Sequence, residues 1–248
     1  MANIVVTGAT SMIGVALIQA ALHDESIDSI FAVVKSQSQK LCRLPIDKKI
    51  IVLECNIEDY LKLPQLINVP AEFFFHLAWP RTATYNESYG DAYEKTKNIL
   101  YVLDALRAAK EMGCKTFVGA GSQSEYGIIN SGKISLDTIC KPVRADGIIH
   151  LAAGQLVNLL AKQMGLNSAW LRVFSVYGIN DRDNSMVKTT IRKMLNGERL
   201  EFTACEQIWD YLYESDAGEA FLLAGKKVYG NKTYNVGYGG GGDCVILS

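Results

Sequence analysis

Histidine is scarce in this chain, three in 248 residues, and proline little commoner at five. Six cysteines are present (Cys42, Cys55, Cys114, Cys140, Cys205, Cys244), but no CxxC pair occurs and no histidine stands near them at ligand spacing. Zinc-ribbon and dithiol chemistry are thereby excluded, and free thiols are expected. With only His23, His76 and His150 and no HExxH face, no metal site is expected either. Charge of one sign is not in excess: 25 Lys and Arg balance 26 Asp and Glu, a net charge of −1. Nucleic acid and acidic lipid are therefore not expected partners, although a local patch could still grip a phosphate. No uninterrupted run of about 20 apolar residues occurs, which argues against a membrane span. The opening MANIVVTGATSMIG lacks the charged start and long apolar stretch of a secretion signal, so a cytoplasmic location is expected.

What the chain does have is ordinary globular composition, 49% hydrophobic and 21% charged, enough for one large domain or one with a small appendage. Short β-branched runs alternate with helical stretches: NIVVT then SMIGVALIQAALH, SIFAVV, KIIVLE, EFFFHL, then YEKTKNILYVLDALRAAKEMG, KTFVGA, and DGIIHLAAGQLVNLLAKQMG before AWLRVF. The runs are apolar on both faces, as strands are when helices cover both sides of a sheet. Gly113 and Gly165 stand where helices should stop. The pattern predicts an α/β fold, a doubly wound parallel sheet. After Phe174 the rhythm loosens into a helix over about 185–196 and short strands at LEFTA and IWDYLY. Another helix, DAGEAFLLAGKK, and a last strand, KTYNVGYG, follow. The organisation expected is residues 1–174 as a dinucleotide-binding domain, 175–207 as a small substrate-binding segment, 208–238 as returning strands and helix, and 239–248 as a glycine-rich flexible tail.

The first strand runs into Thr7-Gly8-Ala9-Thr10-Ser11-Met12-Ile13-Gly14. Gly8 permits the tight turn, Gly14 lets the helix approach the sheet, and the amides at the helix start suit a pyrophosphate. Ser11 replaces a middle glycine, and its Cβ should crowd the phosphates unless the loop shifts. A plain strand-turn-helix would read the same way. At the second strand's tip no acid waits for a ribose 2′-hydroxyl, whereas Lys35, Ser36, Ser38, Lys40 and Arg43 lie nearby. That favours the 2′-phosphate of NADP over NAD, against the alternative of a solvated basic loop.

Together these pieces resemble the extended short-chain dehydrogenase/reductase family, in its NAD(P)-dependent nucleotide-sugar epimerase, dehydratase and reductase branch. The resemblance spans nearly the whole chain: Gly8 to Gly14, Asn56-Ile57 after the third strand, HLAW at 76–79, Asn98, GSQSEYG at 121–127, LRVFSVYG at 171–178 and QIWDYLYESDAGEA at 207–220. It implies a nucleotide-sugar substrate and a cofactor held by Gly8, Thr10, Ser11, Met12, Ile13, Gly14, Lys35, Ser36, Asn56, Ile57, Leu77, Ala78, Trp79, Asn98, Phe174 and Val176. Ser124, Tyr126 and Ser175 would contact the sugar, although Tyr126 could equally pack beneath its loop. Asn98 could equally be a satisfied core asparagine, and Arg172 a structural ion-pair partner; Trp209 and Asp210 are read as structural. The family's helices carrying Asn98 and Asp146 commonly form a dimer interface, which implies a homodimer. Because members of this branch continue for several dozen residues beyond the strand matching KTYNVGYG, the substrate-binding portion is expected to be truncated.

In that branch a serine after the fifth strand and a YxxxK pair on the next helix do the chemistry. Ser122 matches the serine. Asp146 occupies the tyrosine position and His150 the lysine position, with Gly147 keeping the register. A phenol with pKa near 10 can share a proton near neutrality, whereas an aspartate starts ionised and only accepts. Asp146 and His150 are one helical turn apart, so they either form a coupled Asp–His base or cap and solvate the first turn. The function expected is that of an epimerase/dehydratase-like protein with a non-standard site; the alternative is a catalytically impaired dinucleotide-binding or regulatory protein.

Overall fold

A computed structural model describes residues 2–80, 89–129, 133–202, 204 and 209–239. Its first strand, β1 (Ala2–Thr7), buries Ile4, Val5 and Val6 completely, so apolar side chains leave on both faces and both faces must be covered. There follow α1 (Met12–Leu22), β2 (Ile27–Val34), β3 (Ile50–Glu54), α2 (Leu63–Ile67), β4 (Phe73–His76), α3 (Tyr89–Lys95), α4 (Lys97–Glu111) and β5 (Thr116–Ser122). The chain continues through α5 (Ala145–Met164), β6 (Asn167–Val173), β7 (Ser175–Tyr177), α6 (Met186–Leu195), β8 (Tyr211–Tyr213), α7 (Glu214–Lys227) and β9 (Asn231–Val236). Seven strands make one parallel sheet in the order β3-β2-β1-β4-β5-β6-β9, and β7 pairs with β8 in a small parallel ribbon. The order reverses between β1 and β4. A crevice therefore opens beyond their carboxyl ends, the place where sheets of this kind take ligands.

One core lies on the α1 and α7 side, with Leu17, Ile18, Phe75 and Phe221 fully buried. The two helices approach closely at Gly218, where a Cβ would come within 2.4 Å of the Ala16 carbonyl carbon. The other core joins Val102, Ala105 and Leu106 of α4 to Ala153, Val157 and Ala161 of α5, with Trp170 beneath. Gly113 and Gly165 both take positive φ, so the two helix stops fall where the sequence puts them.

Two expectations need correction. The helix expected over YEKTKNILYVLDALRAAKEMG is divided at Thr96, whose Oγ1 donates to the Tyr93 carbonyl at 2.7 Å and so competes with the helical ladder. Leu200–Phe202 form no strand and pair with no strand among the described residues. The rest of that expected strand at Thr203, Ile208 of the next, and the tail from 240 lie outside the described residues. Among the described residues, no helix is long and apolar enough to cross a membrane and no cluster of His, Cys, Asp and Glu could hold a metal ion.

Candidate active site

The crevice begins at the β1–α1 turn. Gly8 has φ +70°, and a Cβ there would lie 2.7 Å from the Leu77 carbonyl carbon; one on Gly14 would lie 2.4 Å from the Gly8 oxygen. The turn is closed tightly enough that only hydrogen fits at either position. Ser11 adopts an ordinary extended conformation (φ −71°, ψ 163°), and its hydroxyl accepts from the Gly14 amide at 3.1 Å. The side chain expected to crowd a phosphate is thus turned back as the helix cap. Met12 and Ile13 open the helix, and such first-turn amides have no partner within it, which suits a pyrophosphate. The residues present fit a dinucleotide.

At the tip of β2, Lys35 and Ser36 are exposed, and the Ser36 amide donates to Asn56 Oδ1 at 3.1 Å. Arg43 is drawn elsewhere: its guanidinium donates to the Asn180 carbonyl at 2.9 Å, bracing the approach to α6. Ile57 and Ala78 pack against the core below, and Leu77 is buried at the end of β4. Thr10 is half-buried in the turn itself.

His76 closes β4 and is wholly buried; its Nδ1 shares a 2.9 Å hydrogen bond with Thr7 Oγ1, while Nε2 has no partner among the described residues. Burial pushes its pKa down to about 3. The unfolded chain's histidine takes a proton near pH 6.5, so stability is complete above that value and falls as pH drops from there toward 3. Relative to pH 8, the loss at pH 5 should be about 2 kcal/mol. Urea midpoints across that range should show it, and His76→Phe should flatten the dependence. An unchanged pH slope in the variant would remove His76 as its source.

Ser122 ends β5 and enters a single 3₁₀ turn, Gln123–Tyr126. Its Oγ accepts from the Ser124 amide at 3.2 Å and from the Ser124 hydroxyl at 2.8 Å. Its own amide donates to Glu125 Oε1 at 3.0 Å, completing a capping box. Glu125 is fully buried; Oε1 also accepts from Trp170 Nε1 at 2.9 Å, and Oε2 accepts from Arg172 Nε at 2.7 Å. Arg172 in turn donates to the Tyr126 hydroxyl at 3.0 Å, which donates to Asn235 Oδ1 at 2.7 Å. Tyr126, expected at the sugar, is 1% exposed, and burial holds its phenol above the ordinary tyrosine range. Its place in this network, beneath the loop, favours packing over sugar contact. Arg172 is likewise the ion-pair partner of the two readings.

The start of α5 abuts this loop: a Cβ on Gly147 would lie 2.3 Å from the Ser124 oxygen. Asp146 and Ser122 therefore belong to one locality. The Asp146 carboxylate pairs with Lys95 Nζ of α3 at 2.9 Å. His150, one turn on, lays its ring against Trp79, with centroids 3.7 Å apart. Trp79 donates from Nε1 to the Ala120 carbonyl at 3.0 Å, so it spans the ends of β4 and β5. Beyond β6, Phe174 lies 6.4 Å from the Tyr126 ring, and Val176 pairs with Leu212. Ser175 accepts from Trp209 Nε1 at 2.5 Å and from Gln123 at 3.5 Å, tying the ribbon to the Ser122 loop. Asp210 receives the Tyr238 and Gly239 amides at 2.7 and 3.1 Å, as a structural residue would.

Asn98 is buried on α4, one turn after Lys95. Lys95, only 6% exposed, was not anticipated from the sequence, where nothing local marks its partner fifty-one positions later. Glu125 was missed as well, although S-x-x-E at 122–125 is the capping-box pattern. A trough of about 820 Å³ lined by Ala20, Leu212, Leu222, Tyr234, Val236 and Tyr238 lies against α1 and α7, on the other side of the sheet from α5, and contains none of these groups.

A model of the NAD dependent epimerase/dehydratase family matches residues 4–237. The chain is 27% identical to the uncharacterized UDP-glucose epimerase YtcB of Bacillus subtilis (strain 168), over 95% of its own length and 76% of that protein's. It is similar to the UDP-glucose 4-epimerase of Thermotoga maritima solved with UDP-glucose, at 25% identity and TM-score 0.81, covering 95% of this chain and 76% of that one. A UDP-glucuronic acid 4-epimerase of Bacillus cereus, solved with UDP-glucuronic acid and NAD, shares the fold at TM-score 0.79 and 24% identity, covering 95% and 77%.

Proposed function

The chain belongs to the NAD-dependent epimerase/dehydratase family, and on that premise we propose that it binds NAD(P) and acts on a nucleotide-linked sugar at the Ser122 loop. The observation that carries this reading is the loop itself, held by a buried carboxylate and set against the first turn of α5. The Gly8–Gly14 turn would hold the pyrophosphate. Bound, the dinucleotide supplies a hydride acceptor or donor. Ser122 would orient a sugar oxygen with its hydroxyl, and Ser124 keeps that hydroxyl aimed. The UDP-sugars named for the Thermotoga maritima and Bacillus cereus relatives support a UDP-hexose as first choice. Lys35 and Ser36, with no acid at the β2 tip, favour NADP over NAD. Exposed Leu100 on α4 and Ile148 and Leu159 on α5 support a homodimer through those helices.

The test is Ser122→Ala, assayed with NADPH or NAD and the UDP-hexoses UDP-glucose, UDP-N-acetylglucosamine and UDP-glucuronic acid. Turnover should fall about a hundredfold while cofactor binding stays the same. Equal turnover would take Ser122 out of the chemistry. The alternative, a dinucleotide-binding protein without turnover, is favoured by one observation, the absence of a phenol at position 146. It would be upheld by tight NADPH binding with no conversion of any of the three sugars.

A further inference from the structure

Position 146 has lost the group that gives and takes a proton, and position 150 has lost the cation beside it. A cation nevertheless reaches the place. Lys95 comes from α3, a different element from the catalytic helix, and its ammonium lies 2.9 Å from the Asp146 carboxylate. The lysine is 6% exposed and the aspartate 48%, so the pair is buried on the lysine side and open on the other. Asp146 adjoins Gly147, which presses on the Ser124 carbonyl, and Ser124 donates to Ser122. Lys95 is thus paired with the residue next to Gly147, and Gly147 packs on the serine that bonds Ser122.

We propose that Lys95 is the residue that delivers a proton to the sugar oxygen, the task that the side chain at position 146 no longer performs. This rests on the nucleotide-sugar reading above. An aspartate cannot donate when ionised, and the His150 ring packs at a tilt of 41° on Trp79. An ammonium donates, and the Asp146 carboxylate stands beside it as its counter-charge. The pair thus suits reduction of a ketosugar. Hydride from a reduced dinucleotide joins the carbonyl carbon as the C=O π bond opens, and a Lys95 N–H proton passes to the oxygen. An alcohol and the oxidised dinucleotide result, and the neutral amine recovers its proton from water. Oxidation of a sugar alcohol would need the amine neutral at the start, which Asp146 opposes. The chain should therefore favour the reductive direction.

Two measurements on Lys95→Met and Lys95→Gln test this, both in the full chain with NADPH bound. Calorimetric titration with UDP-glucose and with UDP separates the sugar contact from the nucleotide contact. UDP-glucose affinity should fall about tenfold and UDP affinity should not move, which also shows that the variants are folded. Reduction of a UDP-linked 4-ketohexose should fall at least about a hundredfold. Unaltered UDP-glucose affinity and unaltered ketosugar reduction in both variants would overturn the role of Lys95 alone. If the unmodified protein binds neither UDP nor UDP-glucose, the nucleotide-sugar reading fails and takes this inference with it.

Discussion

Arg172→Leu is expected to destabilise the protein by about 3–5 kcal/mol, the largest effect of any single substitution considered. Its guanidinium is what Glu125 Oε2 faces, and Glu125 has no exposure to water at all. Leucine fills part of the space but leaves a carboxylate buried without its counter-charge. Adding Glu125→Gln removes that charge yet keeps an oxygen for the Ser122 amide and Trp170 Nε1. The double variant should therefore recover most of the loss. Urea unfolding of the wild type, both single variants and the double gives the coupling directly. Equal stability of Arg172→Leu and the double variant would mean that the ion pair is not what holds the Ser122 loop.

Gly14→Ala should abolish useful dinucleotide binding, weakening NADPH by at least about a hundredfold. The added carbon would sit 2.4 Å from the Gly8 oxygen and 2.9 Å from that of Ala9, both backbone atoms with nowhere to go. Either the helix withdraws from the turn or the turn opens, and each moves the first amides of α1 off the phosphate. Overpacking of this kind costs about 1–3 kcal/mol of stability, so the variant should remain folded at room temperature while failing to bind. NADPH affinity within threefold of wild type would show that the pyrophosphate is not held at this turn.

The fold was legible because parallel strands buried on both faces leave an unmistakable trace. Ile4 to Val6, Phe73 to Phe75 and Phe117 to Val118 are apolar runs with no alternation, each followed in chain order by a helix. The helix break at Thr96 was not legible, because a threonine within a helical pattern gives no sign of whether its hydroxyl will bond back to the preceding turn. At the site, the Asp146-x-x-x-His150 spacing beside Gly147 was visible in the sequence, and so was the basic tip of β2. What sequence alone could not supply was pairing across distant segments. Asp146 and His150 invited pairing with each other because they share a helix face, yet Asp146 pairs with Lys95, fifty-one positions earlier, and His150 packs on Trp79. Arg43, part of the basic tip of β2, bonds the Asn180 carbonyl across 137 positions, a partner its sequence neighbourhood does not indicate. Local chemistry is written in spacing, whereas long-range partners are set by how α3 and α5 lie on the sheet.

The most direct measurement is a fluorescence titration of the unmodified protein with NADPH and, separately, NADH, beside Gly14→Ala as the blank. Saturable binding of both nucleotides, with NADPH the tighter and neither bound by the variant, is the predicted result. No binding of either nucleotide to the unmodified protein would contradict the claim that this chain still uses its family's cofactor.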